Sequence, residues 1–181
     1  MPTGLLVCGG SGAGKSSHLK DIVKDARMRS FLLIDPDQMN APNHVVASKM
    51  AFETLHETIA SRKNFAYVGT CAGTRNIHEI LRIMKEHGYR VVVAIVHVNL
   101  DTAIERVRAR KEQPVPEKVV RELYDYFKKG ARNYLKFSEI DELFLYSNDP
   151  DFTKLGVRKE DQWTIFERRP FYFTLPVGGA I

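Results

Sequence analysis

Leu5-Leu6-Val7-Cys8 runs directly into Gly9-Gly10-Ser11-Gly12-Ala13-Gly14-Lys15-Ser16, an apolar run followed by the pattern G-x-x-x-x-G-K-[ST]. The apolar residues predict a buried strand. The glycines predict a turn whose successive backbone N–H groups curl around a phosphate, because no Cβ obstructs them. A helix is expected to start near Lys15 and to turn its positive end toward the same anion. Lys15 then reaches the β- and γ-phosphates of a nucleoside triphosphate while the Ser16 hydroxyl ligates Mg²⁺. The expected nucleotide-contacting residues are therefore Gly9, Gly10, Ser11, Gly12, Ala13, Gly14, Lys15, Ser16 and Ser17, with a nucleoside triphosphate and Mg²⁺ as the expected ligands.

Downstream of this loop, short apolar runs over 31–34, 65–68, 91–98 and 143–146 predict four more buried strands. Helical stripes separate them: Leu19, Ile22 and Val23; then Val45, Phe52, Leu55 and Ile59; then Ile77, Ile80, Leu81 and Met84, ended by Gly88. After Pro116 a long helix turns Val120, Leu123, Tyr124, Phe127, Ala131 and Tyr134 inward. This order predicts a three-layer α/β/α sandwich with a five-stranded parallel sheet and a site at the carboxyl ends of its strands. Residues 1–151 form the expected phosphate-loop domain and 152–181 a basic and aromatic appendage. Trp163, Phe166, Phe171, Tyr172 and Phe173 among its cations make either a stacking platform for bases or a flap packed on the core.

With 181 residues, 44% hydrophobic and 27% charged, the composition is that of a globular domain with a core. No apolar run approaches membrane-spanning length, and Met1-Pro2-Thr3-Gly4 leads straight into the first strand; the expected location is the cytoplasm, with no membrane partner. Cys8 and Cys71 read as small buried hydrophobes, without a disulfide framework or zinc-ligand spacing. A formal charge of +5 favours an anionic partner, which nucleotides and nucleic acids satisfy equally. The oligomeric state is not legible.

Two clusters add chemistry to the loop. Asp35-Pro36-Asp37 ends the second strand on the side where the loop opens. A carboxylate there aligns an acceptor hydroxyl and takes its proton, so Asp37 is the expected general base, while Asp35 orients the loop or holds a Mg²⁺-bound water. Farther on, Thr102 and Glu105 have capping-box spacing, and Arg106 and Arg110 then share one helix face. Like charges four apart repel, so a shared arginine face is better explained if it meets an anion, as an α-helical lid over ATP would.

These residues resemble the phosphate-loop kinases grouped around zeta toxins and phage polynucleotide kinases, over roughly residues 4–150. The resemblance rests on the glycine loop, Asp35-Pro36-Asp37, Val68-Gly69-Thr70, and Arg106 and Arg110 followed by Pro114-Val115-Pro116 and Tyr124. It implies Lys15, Asp37 and Arg110 as catalytic residues, Arg106 and Arg110 on ATP phosphates, and Asp35, Asp37 and Thr70 toward the acceptor. Asn40, where relatives carry arginine, and Val68 and Gly69, where they carry an acid, are departures. No role falls to any of the 6 histidines.

The implied activity is ATP-dependent phosphorylation of a hydroxyl on a nucleic acid or nucleotide, either a 5′ end or a hydroxymethylated base such as 5-hydroxymethyluracil in phage DNA. The alternatives are a zeta-toxin-like UDP-N-acetylglucosamine kinase, with or without an antitoxin, and a nucleotide-binding switch that transfers nothing.

Overall fold

In the computed structural model, which describes residues 1–110 and 115–177, the first apolar run forms β1 (Thr3–Cys8) inside a mixed sheet. The strands flanking it are both parallel to it: β3 (Phe65–Gly69) on one side and β4 (Arg90–His97) on the other. β2 (Leu32–Ile34) lies outside β3, and β5 (Glu142–Asn148) lies outside β4. The chain leaves β1 toward β2 and β3, then returns on the other side to β4 and β5. In open α/β sheets such a reversal of strand order is where ligands bind, and here it falls at the carboxyl end of β1, where the glycine loop stands.

Among the described residues the sheet has seven strands, not five, and is not wholly parallel. β6 (Phe152–Lys159) runs antiparallel to β5, and β7 (Gln162–Ile165) antiparallel to β6, in the order β2-β3-β1-β4-β5-β6-β7. Only a short link separates β5 from β6, too short for a crossover, so the strand returns as a hairpin. Lys154, Arg158 and Lys159 hid this strand in the sequence. Arg158 is nonetheless buried, because its guanidinium donates to the carbonyls of Leu135 (2.8 Å), Phe137 (3.2 Å) and Ile140 (3.2 Å).

Alternation along β1 builds two cores. Leu5 and Val7 pack with Ile22 and Val23 of α1 (Leu19–Asp25) and Ile104 and Val107 of α4 (Leu100–Arg108). Leu6 and Cys8 face Leu55 of α2 (His44–Ala60), Ile80 and Leu81 of α3 (Thr74–Glu86) and Phe127 of α5 (Glu117–Ala131). Burial at about 25 cal/mol per Å² of apolar surface is what holds the layers together.

Local expectations fail at three helices. Regular helix begins at Leu19, not near Lys15; residues 15–18 form turns closed by bonds such as His18 N to Gly14 O at 3.2 Å. In α2 the inner face is Ala47, Ala51, Leu55 and Ile59, which recur about every four residues, and Val45 is 78% exposed. The Thr102–Glu105 capping box does not form: α4 starts at Leu100 after Asn99, and the Thr102 hydroxyl donates to Asp149 Oδ2 at 3.2 Å instead.

The reading of Cys8 and Cys71 as unlinked is also corrected. They form a disulfide across 63 positions, with Cα atoms 5.3 Å apart, tying the last residue of β1 to the loop after β3. Both chain segments end at the same sheet edge, which brings together two cysteines that sequence spacing does not associate.

Candidate active site

The phosphate loop begins where β1 ends. Gly12 and Gly14 have φ of +78° and +81°, conformations that an L side chain rarely adopts. At Gly12 a Cβ would also stand 2.6 Å from the Ala103 carbonyl oxygen, so the loop is pressed onto α4. Lys15 folds back, its ammonium donating to Gly9 O (2.8 Å) and Gly10 O (3.0 Å). Burial pushes the Lys15 pKa down to about 8; the charge of Asp37 works against that shift, Arg110 adds to it, and Asp35 opposes it. Asp37, Arg110 and Asp35 are thus all close enough for their charges to act on this one ammonium.

Asp35 is 5% exposed and caps the 3-10 turn Pro36–Gln38. Its Oδ1 accepts from Asp37 N (3.0 Å), and its Oδ2 accepts from Ser16 Oγ (3.2 Å) and Gln38 Nε2 (3.2 Å). The turn leaves the Asp37 side chain 56% exposed, with His44 Nδ1 3.9 Å from its Oδ1. One carboxylate therefore braces the loop, and the other, two residues on, is exposed. Beside them, burial first and the Asp35 charge second raise the pKa of Tyr67, whose ring lies over Gly69.

The Ser16 hydroxyl and the Asp35 carboxylate fit a magnesium ion. Mg²⁺ takes hard oxygen donors and is usually held by one or two protein oxygens together with substrate phosphates and water. These two groups already share a hydrogen bond, so an ion between them would find both donors facing it.

The two arginines part company. Arg106 donates to Asn148 O (3.0 Å) and, more weakly, to Gly12 O (3.4 Å), behind the loop. Arg110 lies beyond the end of α4, exposed, with its charge reaching Lys15. Thr70 follows β3, half-buried, beside the disulfide. Pro114 lies outside the described residues.

Sequence reasoning missed the residues that hold the loop from behind. Asn148, at the end of β5, donates through Nδ2 to Ala13 O at 2.9 Å. Asp149 accepts from Asn99 N and from Thr102, each at 3.2 Å, and so fixes the start of α4. No local pattern marks either residue, since their partners lie 47 or more positions away.

The family model for zeta toxin matches residues 42–155. The chain belongs to the zeta toxin family. This zeta toxin family member is accordingly a phosphate-loop phosphotransferase, although the matched stretch starts after the loop itself. Solved structures agree on the fold. A chain of the PezAT chromosomal toxin-antitoxin system of Streptococcus pneumoniae superposes with a TM-score of 0.59 at 16% identity, covering 84% of this chain and 71% of that one. A chain of the AvrRxo1-ORF1:ORF2 complex with ATP superposes with a TM-score of 0.69 at 13% identity, covering 91% of this chain and 60% of its own length. The chain spans about 60% of the length of the AvrRxo1 chain it matches. No curated protein matches the sequence. Among the described residues no helix is long and apolar enough to cross a membrane.

Proposed function

We propose that this zeta toxin family member is an ATP- and Mg²⁺-dependent kinase that moves the γ-phosphate to a hydroxyl of a nucleotide-type acceptor. The observation that carries the reading is the frame that joins the loop to the aspartate turn: Asp35 accepts from Ser16 Oγ (3.2 Å) and from Asp37 N (3.0 Å), which sets the exposed Asp37 carboxylate next to the phosphate loop. The loop amides bind the β-phosphate, and Lys15 exchanges its two carbonyl partners for β- and γ-oxygens. The exposed Asp37 takes the proton of the acceptor hydroxyl as that oxygen bonds to the γ-phosphorus, while the bond from the γ-phosphorus to the bridging oxygen breaks and ADP leaves. Arg110 neutralises charge spreading over the transferred group, and Thr70 orients the acceptor. Ser16 and Asp35 would hold a magnesium ion, which would supply neutralisation of phosphate charge.

The C-terminal segment bears on the acceptor. Tyr172 is 5% exposed, and Phe171, Phe173 and Trp163 pack partly buried against the core, which supports the flap reading. Phe166 is the large exposed aromatic of this segment, with the Lys154 ammonium 5.3 Å from its ring centre. A single exposed ring supports a small nucleotide acceptor better than a long polynucleotide track.

Membership of the zeta toxin family leaves a second acceptor, a UDP-sugar such as UDP-N-acetylglucosamine, as the alternative reading. A phosphate-transfer screen with ATP over DNA 5′ ends, 5-hydroxymethyluracil DNA, RNA, nucleotides and UDP-sugars, read by mass spectrometry, separates these readings. Product on a nucleotide or UDP-sugar is the expected result. ATP hydrolysis indifferent to every acceptor would sink the kinase reading in favour of a nucleotide switch.

A further inference from the structure

Tyr172 lies 162 positions from Gly10 in sequence, yet its hydroxyl accepts a hydrogen bond from Gly10 N at 3.4 Å. The same hydroxyl donates to Val96 O at 3.3 Å, on the strand beside β1. Both bonds are long, but they close on an oxygen removed from water, and burial above all pushes the phenol's pKa up. The ring is wedged edge-on against Phe127 (centroids 4.9 Å) and His97 (4.8 Å) and tilted against Tyr124 (5.6 Å). Tyr124 and Phe127 belong to α5, the helix that follows the arginine segment.

One side chain from the C-terminal segment therefore touches the start of the phosphate loop, the end of β4 and the helix beyond the lid. Both backbone polar groups of Gly10 are held. Its carbonyl accepts from Lys15 Nζ (3.0 Å) and Ala13 N (3.2 Å), and its N–H is held by Tyr172. When nucleotide binds, Lys15 leaves that carbonyl for the phosphates. Of the two side chains bonded to Gly10, Tyr172 is then the one that remains.

We propose that Tyr172 is a positioning residue that keeps the phosphate loop in its binding conformation and ties it to α5, so that the C-terminal segment sets nucleotide affinity. The inference rests on the loop being a nucleotide site, not on the identity of the acceptor. Without the hydroxyl, the loop must be ordered anew each time nucleotide binds, which weakens binding and leaves the proton transfer at Asp37 untouched.

The test uses Tyr172→Phe, which keeps the ring and removes the two bonds. Tyr89→Phe is the control: its hydroxyl donates to Lys63 O (2.8 Å) and Thr58 O (3.1 Å), away from the loop. Calorimetric titration with a non-hydrolysable ATP analogue and amide hydrogen exchange at Gly10 to Ala13 are measured on all three proteins. Tyr172→Phe is expected to weaken binding by about three- to tenfold, the worth of a lost buried hydrogen bond, and to speed exchange at Gly10. In turnover assays it should raise KM for ATP with kcat little changed. Tyr89→Phe should leave affinity and loop exchange alone. Parent-like affinity and exchange in Tyr172→Phe, or an equal loss in Tyr89→Phe, would overturn the assignment. A parent protein that binds no nucleotide would instead overturn the reading of the loop, and unchanged Gly10 exchange would still count against Tyr172.

Discussion

The Ser16 hydroxyl donates to the Asp35 carboxylate across 3.2 Å, a bond that joins the phosphate loop to the end of β2. Because Asp35 also accepts from Asp37 N, the loop and the proposed base sit on one hydrogen-bonded frame. The two aspartates should therefore answer differently to substitution.

Asp37→Asn should leave ATP affinity near that of the parent and reduce transfer by about two to four orders of magnitude, the usual range for loss of a general base. Asp35→Ala should lower stability by about 1 to 3 kcal/mol, since it removes three hydrogen bonds made to one buried carboxylate, and should raise the magnesium concentration needed for half activity. Single-turnover transfer and a magnesium titration measure the two effects. Full activity in Asp37→Asn would move the base role to Asp35.

Lys15 gives the free protein a pH signature. Its pKa falls from 10.5 in the unfolded chain to about 8 when folded, so between these values the folded chain holds fewer protons. The destabilising effect of burying the charge is full below pH 8 and is relieved as pH rises through that window. Nucleotide binding runs the other way, because phosphates need the ammonium. ATP affinity should decline above about pH 8, and binding there should take up protons, seen as a dependence of the calorimetric heat on buffer ionisation enthalpy. Lys15→Ala should abolish the uptake together with most of the affinity.

Arg106 and Arg110 should separate kinetically. Arg106 holds Asn148 O and Gly12 O, so Arg106→Ala should raise KM for ATP by about tenfold, and Arg106→Lys should not restore it because an ammonium lacks the two-pronged fork. Arg110→Ala should lower kcat instead. A drop in kcat for Arg106→Ala would return that residue to the phosphates.

Far from the site, Glu142 is 5% exposed, with Oε1 accepting from Arg90 Nη2 (2.6 Å) and Nε (3.0 Å) and with Lys159 Nζ 3.3 Å from Oε2. Burial alone would raise its pKa, but the bonds and charge of Arg90, then Lys159, hold it below the usual glutamate range. Its stabilisation is therefore present above the unfolded value of 4.5 and is lost as pH falls through the lower folded value. Glu142→Gln should cost about 3 kcal/mol near neutral pH and flatten the acid limb of the stability curve, measured by urea denaturation.

The Cys8–Cys71 bond closes a loop of 63 positions. Cys71→Ser, or reduction, should lower stability by about 2 to 4 kcal/mol through the freedom regained by the unfolded chain. Thermal melts with and without reductant check this, and equal melting temperatures would show that the link adds nothing.

What could be read along the chain was whatever neighbours in sequence settle among themselves. The apolar run before Gly9 and the glycines that admit positive φ specify a strand and a phosphate cradle within a dozen residues, and α3 ended near Gly88 because its stripe and its stop are local as well. β6 escaped because its charged residues mask the strand pattern, and Arg158 is tolerated inside only because carbonyls from a distant loop surround it. Val45 misled because apolar character alone does not say which face a helix turns inward.

The sequence by itself determined the phosphate cradle, its supporting strand, the Asp-Pro-Asp turn and the parallel half of the sheet, all fixed by short-range sterics and periodicity. Only the tertiary structure decided what holds the cradle: Asn148 on Ala13, Tyr172 on Gly10, Arg106 turned behind the loop, and the Cys8–Cys71 link. Each of these joins atoms from segments far apart along the chain, and such partners become neighbours only after the layers have packed.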